Sequence, residues 1–362
     1  MVHLYKNALT KFLILIFWLT IIAIFLFLPS KLNYLYNRHN DNILNIYCWS
    51  DMIDPIIVKE FEDITGAKIN LSYYEQNYEL FSKLDLTRGE NYDLIMATDF
   101  AVGFLRDKNL LKEIDKTKLE FWPDLAQEIL GRTFDPKNNF SVPYVWDIYV
   151  VGYNKKYVDQ QKLNTSLDII FNPEYMPRHI AMLDEAVEAF SFASVYKFGG
   201  HFDYENRASW NAIKDVLLTQ KLCVEAYTDT RAGDLLVSGS ARVALAQASH
   251  IYKAKKISAD IELFIPQPRT FMVVDSFVVS KSTKKEELLY KFLNFIYAKA
   301  FLRQIIDKYL YLPVRSVLLH EVDLSYLGGI DNLMKNASSA QSFVASKHFK
   351  DISRLWMEVK SY

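Results

Sequence analysis

Residues 43–100, ILNIYCWSDMIDPIIVKEFEDITGAKINLSYYEQNYELFSKLDLTRGENYDLIMATDF, decide the fold. Ile43 to Trp49 is a short apolar strand. Asp54-Pro55 then opens a helix, with an acceptor side chain at the cap and proline at the first helical position. Ile57, Phe61 and Ile64 repeat at helical spacing until Gly66 stops the helix. Lys68 to Tyr74 reads as a strand, Tyr78 to Leu86 as a helix, Tyr92 to Thr98 as a strand and Phe100 to Lys108 as a helix. Strand and helix alternating at this pace imply right-handed βαβ units around a parallel sheet.

A second alternating region runs from about Tyr149 to Phe271. It offers strands at Ile148 to Tyr153, Ile180 to Leu183, Val243 to Gln247 and Ile261 to Ile265, with helices near Ala186 to Tyr196 and Trp210 to Thr219. Phe271 to Ser280, FMVVDSFVVS, is strongly β-rich, and the chain from Lys285 onward is mostly helical. The expectation is an α/β protein of two lobes, each a mixed, mostly parallel sheet flanked by helices, with a cleft between them. Residues 42–147 with about 272–320 form one lobe and 148–271 the other; 321–362 are a C-terminal helical segment.

The gross numbers agree. At 362 residues the chain exceeds one average domain, and 51% hydrophobic content can fill two cores. Twenty-four Phe and 23 Tyr supply packing surface. A net charge of −1 lacks the basic face that nucleic-acid binding needs. Cys48 and Cys223, far apart and without a histidine cluster, support neither a zinc site nor a redox motif and read as two buried free thiols. No cofactor or metal is implied.

Ahead of the body, Phe12 to Leu28 is an unbroken apolar run ended by Pro29 and preceded by Lys6 and Lys11. Residues 1–30 therefore read as a signal anchor or a cleaved signal peptide, and 31–41 as a polar linker. Either way the body is exported, and in the anchored case it stays tethered to the inner membrane.

In an open parallel sheet a ligand sits beyond the carboxyl ends of the strands. Here those ends carry Trp49, Ser50 and Asp51, then Tyr74 and Glu75, then Thr98, Asp99 and Phe100. In the second region the strand ending at Leu183 runs into Asp184, Glu185 and Glu188, and Asp275 interrupts the β-rich stretch. Acids, rings and hydroxyls without Lys or Arg suit a cation, whose ammonium groups take charge-assisted hydrogen bonds from carboxylates while its methylenes lie on aromatic faces. Acids in a first helical turn also serve as plain caps. An acid inside an apolar strand needs a partner or a function.

Several stretches, in order, resemble the periplasmic spermidine/putrescine-binding proteins of ABC importers, within the type II extracellular solute-binding family. They include IYCWSDMI at 46–53, FEDITGAKI at 61–69, YYEQNYELFSKL at 73–84, YDLIMATDF at 92–100, FDPKNNFSVPYVW at 134–146 and VDSFVVS at 274–280. The resemblance implies the two-lobed fold of that family, hinged by crossover segments, a polyamine as ligand, ABC permease subunits as partners, a periplasmic monomer and no catalysis. By position it carries ligand-binding roles onto Trp49, Ser50, Asp51, Thr98, Phe100, Glu185, Glu188, Asp275 and Tyr311. Gln247 and Val273 stand where the family has Trp, and Met52 where it has Tyr, so the pocket keeps its acids and loses rings. An exported hydrolase using paired carboxylates is the rival from another class, although no G-x-S-x-G, H-E-x-x-H or P-loop pattern is present. A receptor for a different small cation, and a sensor ectodomain on the same fold, complete the alternatives.

Overall fold

The computed structural model describes residues 12–22, 41–50, 52–160, 163–200, 202–344 and 347–362. Helix α1, residues 12–22, exposes apolar side chains such as Phe12, Leu15 and Trp18. The rest of the expected signal or anchor segment, and the linker up to residue 40, lie outside the described residues. Among the described residues no helix is long and apolar enough to cross a membrane.

The body opens as expected: β1 (Ile43–Trp49), α2 (Pro55–Thr65), β2 (Lys68–Tyr74), α3 (Asn77–Thr87), β3 (Leu94–Ala97) and α4 (Asp99–Asp107). Local chemistry sets the boundaries. The Asp54 carboxylate accepts the Ile56 N–H, Pro55 begins α2, and Gly66 ends it in the left-handed region at φ 70°. β1 lies between β2 and β3, parallel to both, which accounts for its nearly continuous burial.

β4 (Ser141–Asn154) is fully buried over 14 residues and is twice the length of the strand expected there. Pro143 and Asp147 broke the apolar pattern, so only the second half was legible. There follow α5 (Asp168–Phe171), β5 (Ile180–Met182), α6 (Ala186–Phe198), α7 (Arg207–Lys221), β6 (Val224–Tyr227), α8 (Ala232–Ser238), β7 (Val243–Gln247), α9 (Ala248–Ile257), β8 (Ile261–Phe264) and β9 (Met272–Val279). The chain ends in α10 (Glu286–Ile296), α11 (Lys299–Tyr309), β10 (Leu312–Pro313), α12 (Ser316–Leu319), α13 (Ile330–Ser339) and α14 (Phe349–Ser361).

The sheet order is β2-β1-β3-β9-β4-β7-β5-β6, with β8 and β10 also on β4. β4 changes neighbours along its length. Up to Ile148 it runs antiparallel to β9, and from Tyr149 it runs antiparallel to β7 and β8. The Tyr149 N–H donates to the Phe271 carbonyl at 2.9 Å, so the two crossovers are bonded where the exchange occurs. The pairs within β1–β3 and β5–β7 are parallel, as read from the sequence; every pair made by β4 or β9 is antiparallel. Both cysteines are free; Cys48 is buried, its thiol pushed up to about 12 by desolvation, whereas Cys223 is only half-buried.

One buried ion pair ties the first half together. Lys285 Nζ lies 3.2 Å from Asp93 Oδ2 and also donates to the Ile43 carbonyl at 2.7 Å. Asp93 accepts the Asn45 N–H at 2.8 Å and the Thr283 hydroxyl at 2.7 Å. Removing one partner of such a pair strands the other charge. Lys285→Met should therefore lower the unfolding free energy by about 3–5 kcal/mol in a urea titration. Lys68→Ala, which removes the exposed partner of Glu62, should cost less than about 1 kcal/mol.

Candidate functional site

The carboxyl ends of the strands converge where the two halves meet. Trp49 closes β1 and packs on Tyr74, the last residue of β2, with ring centroids 4.3 Å apart. Ser50 is exposed in the following turn, and Asp51 lies outside the described residues. Thr98 is the residue before α4 and is buried, its hydroxyl donating to Asn77 Oδ1 at 3.2 Å. On the other side, Glu185 caps α6 and Glu188 sits in its first turn. Gln247 caps α9.

Asn77 joins the two sides. Its Nδ2 donates to Glu185 Oε2 at 3.2 Å, so the Thr98 hydroxyl, the Asn77 amide and the Glu185 carboxylate form one hydrogen-bonded line from the first half to the second. Gln247 Nε2 donates to the Tyr149 hydroxyl at 3.4 Å, and that hydroxyl in turn serves Glu188. Four expected residues, Thr98, Glu185, Glu188 and Gln247, thus meet at the junction through two that the sequence reading passed over, Asn77 and Tyr149. Asn77 lay within the quoted stretch 73–84, but its role needed the spatial pairing with a residue 108 positions away.

Asp275 lies in mid-β9, opposite Val145 of β4, and is 6% exposed with no hydrogen-bond partner for Oδ1. It is not isolated electrostatically. Asp147 raises the pKa of Asp275, Asp275 raises that of Asp99, and Asp99 raises that of Glu188. The acids form a chain through the interior from the crossover to α6.

Desolvation is the leading cause at every link. It pushes Asp147 up to about 6, Asp275 to about 7, Glu185 to about 7 and Asp99 to about 8, and holds Glu188 well above the carboxylate range. Hydrogen bonds oppose it in part. Asp99 accepts the N–H groups of Phe343 and Phe100, at 2.9 and 2.8 Å, and Asp147 accepts that of Ser249 at 3.0 Å. Among the described residues no Lys or Arg is paired with Glu185, Glu188 or Asp275. Asp184 differs, because Lys360 is paired with its carboxylate.

Phe100 and Tyr311 were also expected at the site. Phe100 is buried in the core with its ring edge-on to Phe81. Tyr311 precedes β10, half-buried, with its ring 6.0 Å from that of Tyr309. A groove of about 510 Å³ begins one turn beyond Glu188 on α6; Ser191, Ser194, Arg132, Phe271, Tyr204 and Gln341 are among its walls. Nothing in the local sequence of residues 132, 204 or 341 advertised that meeting.

An acid whose folded pKa exceeds its unfolded value keeps its proton longer when folded. Its contribution favours folding at low pH and is lost as pH rises from about 4 through the folded pKa. In the ligand-free protein Asp147, Glu185, Asp275 and Asp99 are therefore expected to withdraw stability between about pH 4 and pH 8 as they are forced to ionise, against buried His250, pushed down to about 4 by desolvation, which adds stability as pH rises toward about 6.5. Asp275→Asn should remove its share of this slope and raise Tm at pH 8 by about 1–2 °C for each kcal/mol relieved. An Asp275→Asn profile of Tm against pH that parallels that of the unaltered chain in differential scanning calorimetry contradicts the enclosure of Asp275.

With that geometry in place, the likeness to known proteins can be stated. A family profile described as bacterial extracellular solute-binding protein matches residues 57–325. The spermidine/putrescine-binding periplasmic protein of Escherichia coli (strain K12) is 25% identical over 291 residues, covering 78% of this chain and 82% of the relative. The putrescine/cadaverine-binding protein of Pseudomonas aeruginosa is 26% identical over 263 residues, covering 70% and 74%. Among solved structures, the spermidine/putrescine ABC transporter substrate-binding protein of Streptococcus pneumoniae superposes with a TM-score of 0.73 at 20% identity, covering 88% of this chain and 99% of that one. Iron-bound HitA of Pseudomonas aeruginosa superposes with a TM-score of 0.68 at 18% identity, covering 88% and 99%. The fold is shared by receptors of different cargo, so the ligand must be argued from the site.

Proposed function

The chain belongs to the bacterial extracellular solute-binding protein family, and from that premise we propose that it is the substrate-binding component of an ABC importer, capturing a polyamine such as putrescine or spermidine in an interlobe cleft. The observation that carries the choice of ligand is the run of enclosed acids from Asp147 through Asp275 and Asp99 to Glu188 and Glu185, with no cation of the chain paired to Glu185, Glu188 or Asp275 among the described residues. Carboxylates taken out of water must either hold protons or meet a positive charge. A diamine meets them at two points, with charge-assisted hydrogen bonds at each end and an apolar stem between. Trp49, half-buried and backed by Tyr74, offers a ring face for that stem. The curated relatives described above carry polyamine-binding names, which points the same way.

Residues 42–147 with 272–320 act as one lobe and 148–271 as the other. In support, β4 exchanges neighbours between Ile148 and Tyr149, and Tyr149 is bonded to Phe271 at the return crossover. The cation lands on Trp49, Ser50, Asp51 and Thr98 of the first lobe. The second lobe then swings in about the two crossovers and brings Glu185, Glu188 and Gln247 to it, with Asp275 at the hinge. Gln247 replaces a ring by an amide already engaged with Tyr149, a change that favours a polar or shorter amine over a long apolar stem. The closed form docks on an ABC permease. The protein works in the periplasm as a monomer, tethered by its N-terminal apolar run. The relatives are named as binding proteins, and no observation of this site favours the hydrolase reading.

The test is thermal denaturation of the full chain with putrescine, cadaverine, spermidine and, as a control, propylamine. A ligand present at about 100 times its Kd stabilises the folded state by about 2.7 kcal/mol, and the diamines should raise Tm by several degrees while the monoamine does not. Glu188→Gln should weaken diamine binding at least about tenfold, the expected loss of one buried charge-assisted contact. Shifts with an unrelated cation alone, or with none of the amines, refute the assignment.

A further inference from the structure

The C-terminal segment, which begins beyond the sequence stretches that carry the family resemblance, crosses from one half of the molecule to the other. α13 rests on the first half, where Arg132 donates to the carbonyl oxygens of Ala337 and Ala340 and to the Ser342 hydroxyl. The chain then passes along the crossover. The Gln341 N–H donates to the Thr270 carbonyl and the Gln341 carbonyl accepts the Met272 N–H, both at 3.0 Å. The Phe343 N–H reaches Asp99, and the Phe343 ring stacks on Phe271 with centroids 4.5 Å apart.

α14 rides on the second half. Lys214 pairs with Glu358 at 2.7 Å, Lys221 caps the helix end through the Val359 carbonyl at 2.8 Å, and Trp356 stands edge-on to Tyr227 at 5.0 Å. Two of its features bear on the cleft. The Trp356 indole N–H donates to the Asp184 carbonyl at 2.8 Å while Lys360 pairs with the Asp184 carboxylate, so α14 grips the residue immediately before Glu185. At its other end, Phe349 reaches the first half. Its buried ring meets Phe81 of α3 edge-on at 4.7 Å and lies 6.3 Å from Phe104 of α4.

We propose that α14 belongs to the capture machinery: Trp356 and Lys360 are positioning residues for Glu185, and Phe349 is an apolar latch that enters the Phe81–Phe104 site of the first lobe when the cleft shuts. This rests on the ligand-capture reading above and adds a regulator to it. Asn77 and Glu185 make a polar contact across the gap, and Phe349 makes an apolar one that needs no ligand. Because only the closed state binds tightly, apparent Kd is the intrinsic Kd divided by the closed fraction, and a residue that sets this fraction sets affinity without touching the solute.

The experiment compares the full chain with Phe349→Ala, Phe349→Leu and Trp356→Phe by small-angle X-ray scattering without ligand and by putrescine titration calorimetry. Phe349→Ala is expected to increase the ligand-free radius of gyration and weaken putrescine about tenfold, and Phe349→Leu, which keeps most of the apolar volume, to recover most of both. Trp356→Phe keeps a ring on Tyr227 and removes only the N–H on Asp184. It is expected to weaken putrescine about threefold or more with unchanged ligand-free scattering, a split that loss of stability alone does not produce. Unchanged scattering and affinity in Phe349→Ala overturn the latch, and unchanged affinity in Trp356→Phe overturns the positioning role. If Phe349→Ala fails to fold, Phe349→Leu decides, since the latch requires an intermediate loosening. Should the unaltered chain bind no amine, the capture reading falls, while the scattering comparison still decides the latch.

Discussion

Carboxylates withdrawn from water, three of them with no Lys or Arg paired among the described residues, are the constraint around which this molecule is arranged. Asp147, Asp275, Asp99, Glu185 and Glu188 all have pKa values raised chiefly by burial. A fold tolerates such groups only if something compensates them. Partial compensation is visible in the backbone N–H groups that Asp99 and Asp147 accept, and in the amide of Asn77 at Glu185. Asp275 has one oxygen with no partner at all. The remaining deficit is what the proposed cationic guest would remove, and under that proposal occupancy of the site would be coupled to folded-state stability.

That coupling depends on a backbone shared between the halves. β4 lies in both sheet regions, and its Tyr149 is at once the first residue paired with β7, the donor to Phe271 and the hydroxyl beside Glu188. A rotation about the crossover, as proposed for capture, would move Glu188 and Gln247 relative to Asp275 and Thr98. Buried rings surround the same point: Tyr149, Phe192, Phe271 and Phe343 contact one another. They exclude water from the inner end of the acid chain, which is why desolvation is first among the causes there. The Lys285–Asp93 pair, by contrast, is a buried acid already neutralised within the chain, and it serves to fasten β1, β3 and α10.

The C-terminal segment adds a third connection to the two crossovers. Arg132 and Asp99 fasten it on one side, and α14 fastens it to α6 and α7 on the other. Its sequence has no strand-end position and no motif, and it read only as helical. Its significance comes from Phe349 and Trp356, which meet Phe81 and Asp184, residues more than 150 positions away.

The sequence by itself determined the elements. Capping at Asp54, the stop at Gly66 and the apolar runs of β1, β2, β7 and β9 are local signals; the strand-end rule picked Thr98 and Glu185 because α/β sheets place their loops there, and Asp275 stood out as an acid inside an apolar strand. It also fixed the acidic, cation-seeking character of the candidate site, since residue type is independent of conformation. Only the tertiary structure decided that Asn77 hydrogen-bonds Glu185, that Asp99 links the acids of the crossover to those of α6, that Asp184 is neutralised by Lys360 while Glu185 is not, and that Phe100 belongs to the core. Each of these depends on which groups share a desolvated volume. That is a property of long-range packing, set by how β4 carries the chain from one half to the other, and no local pattern encodes it.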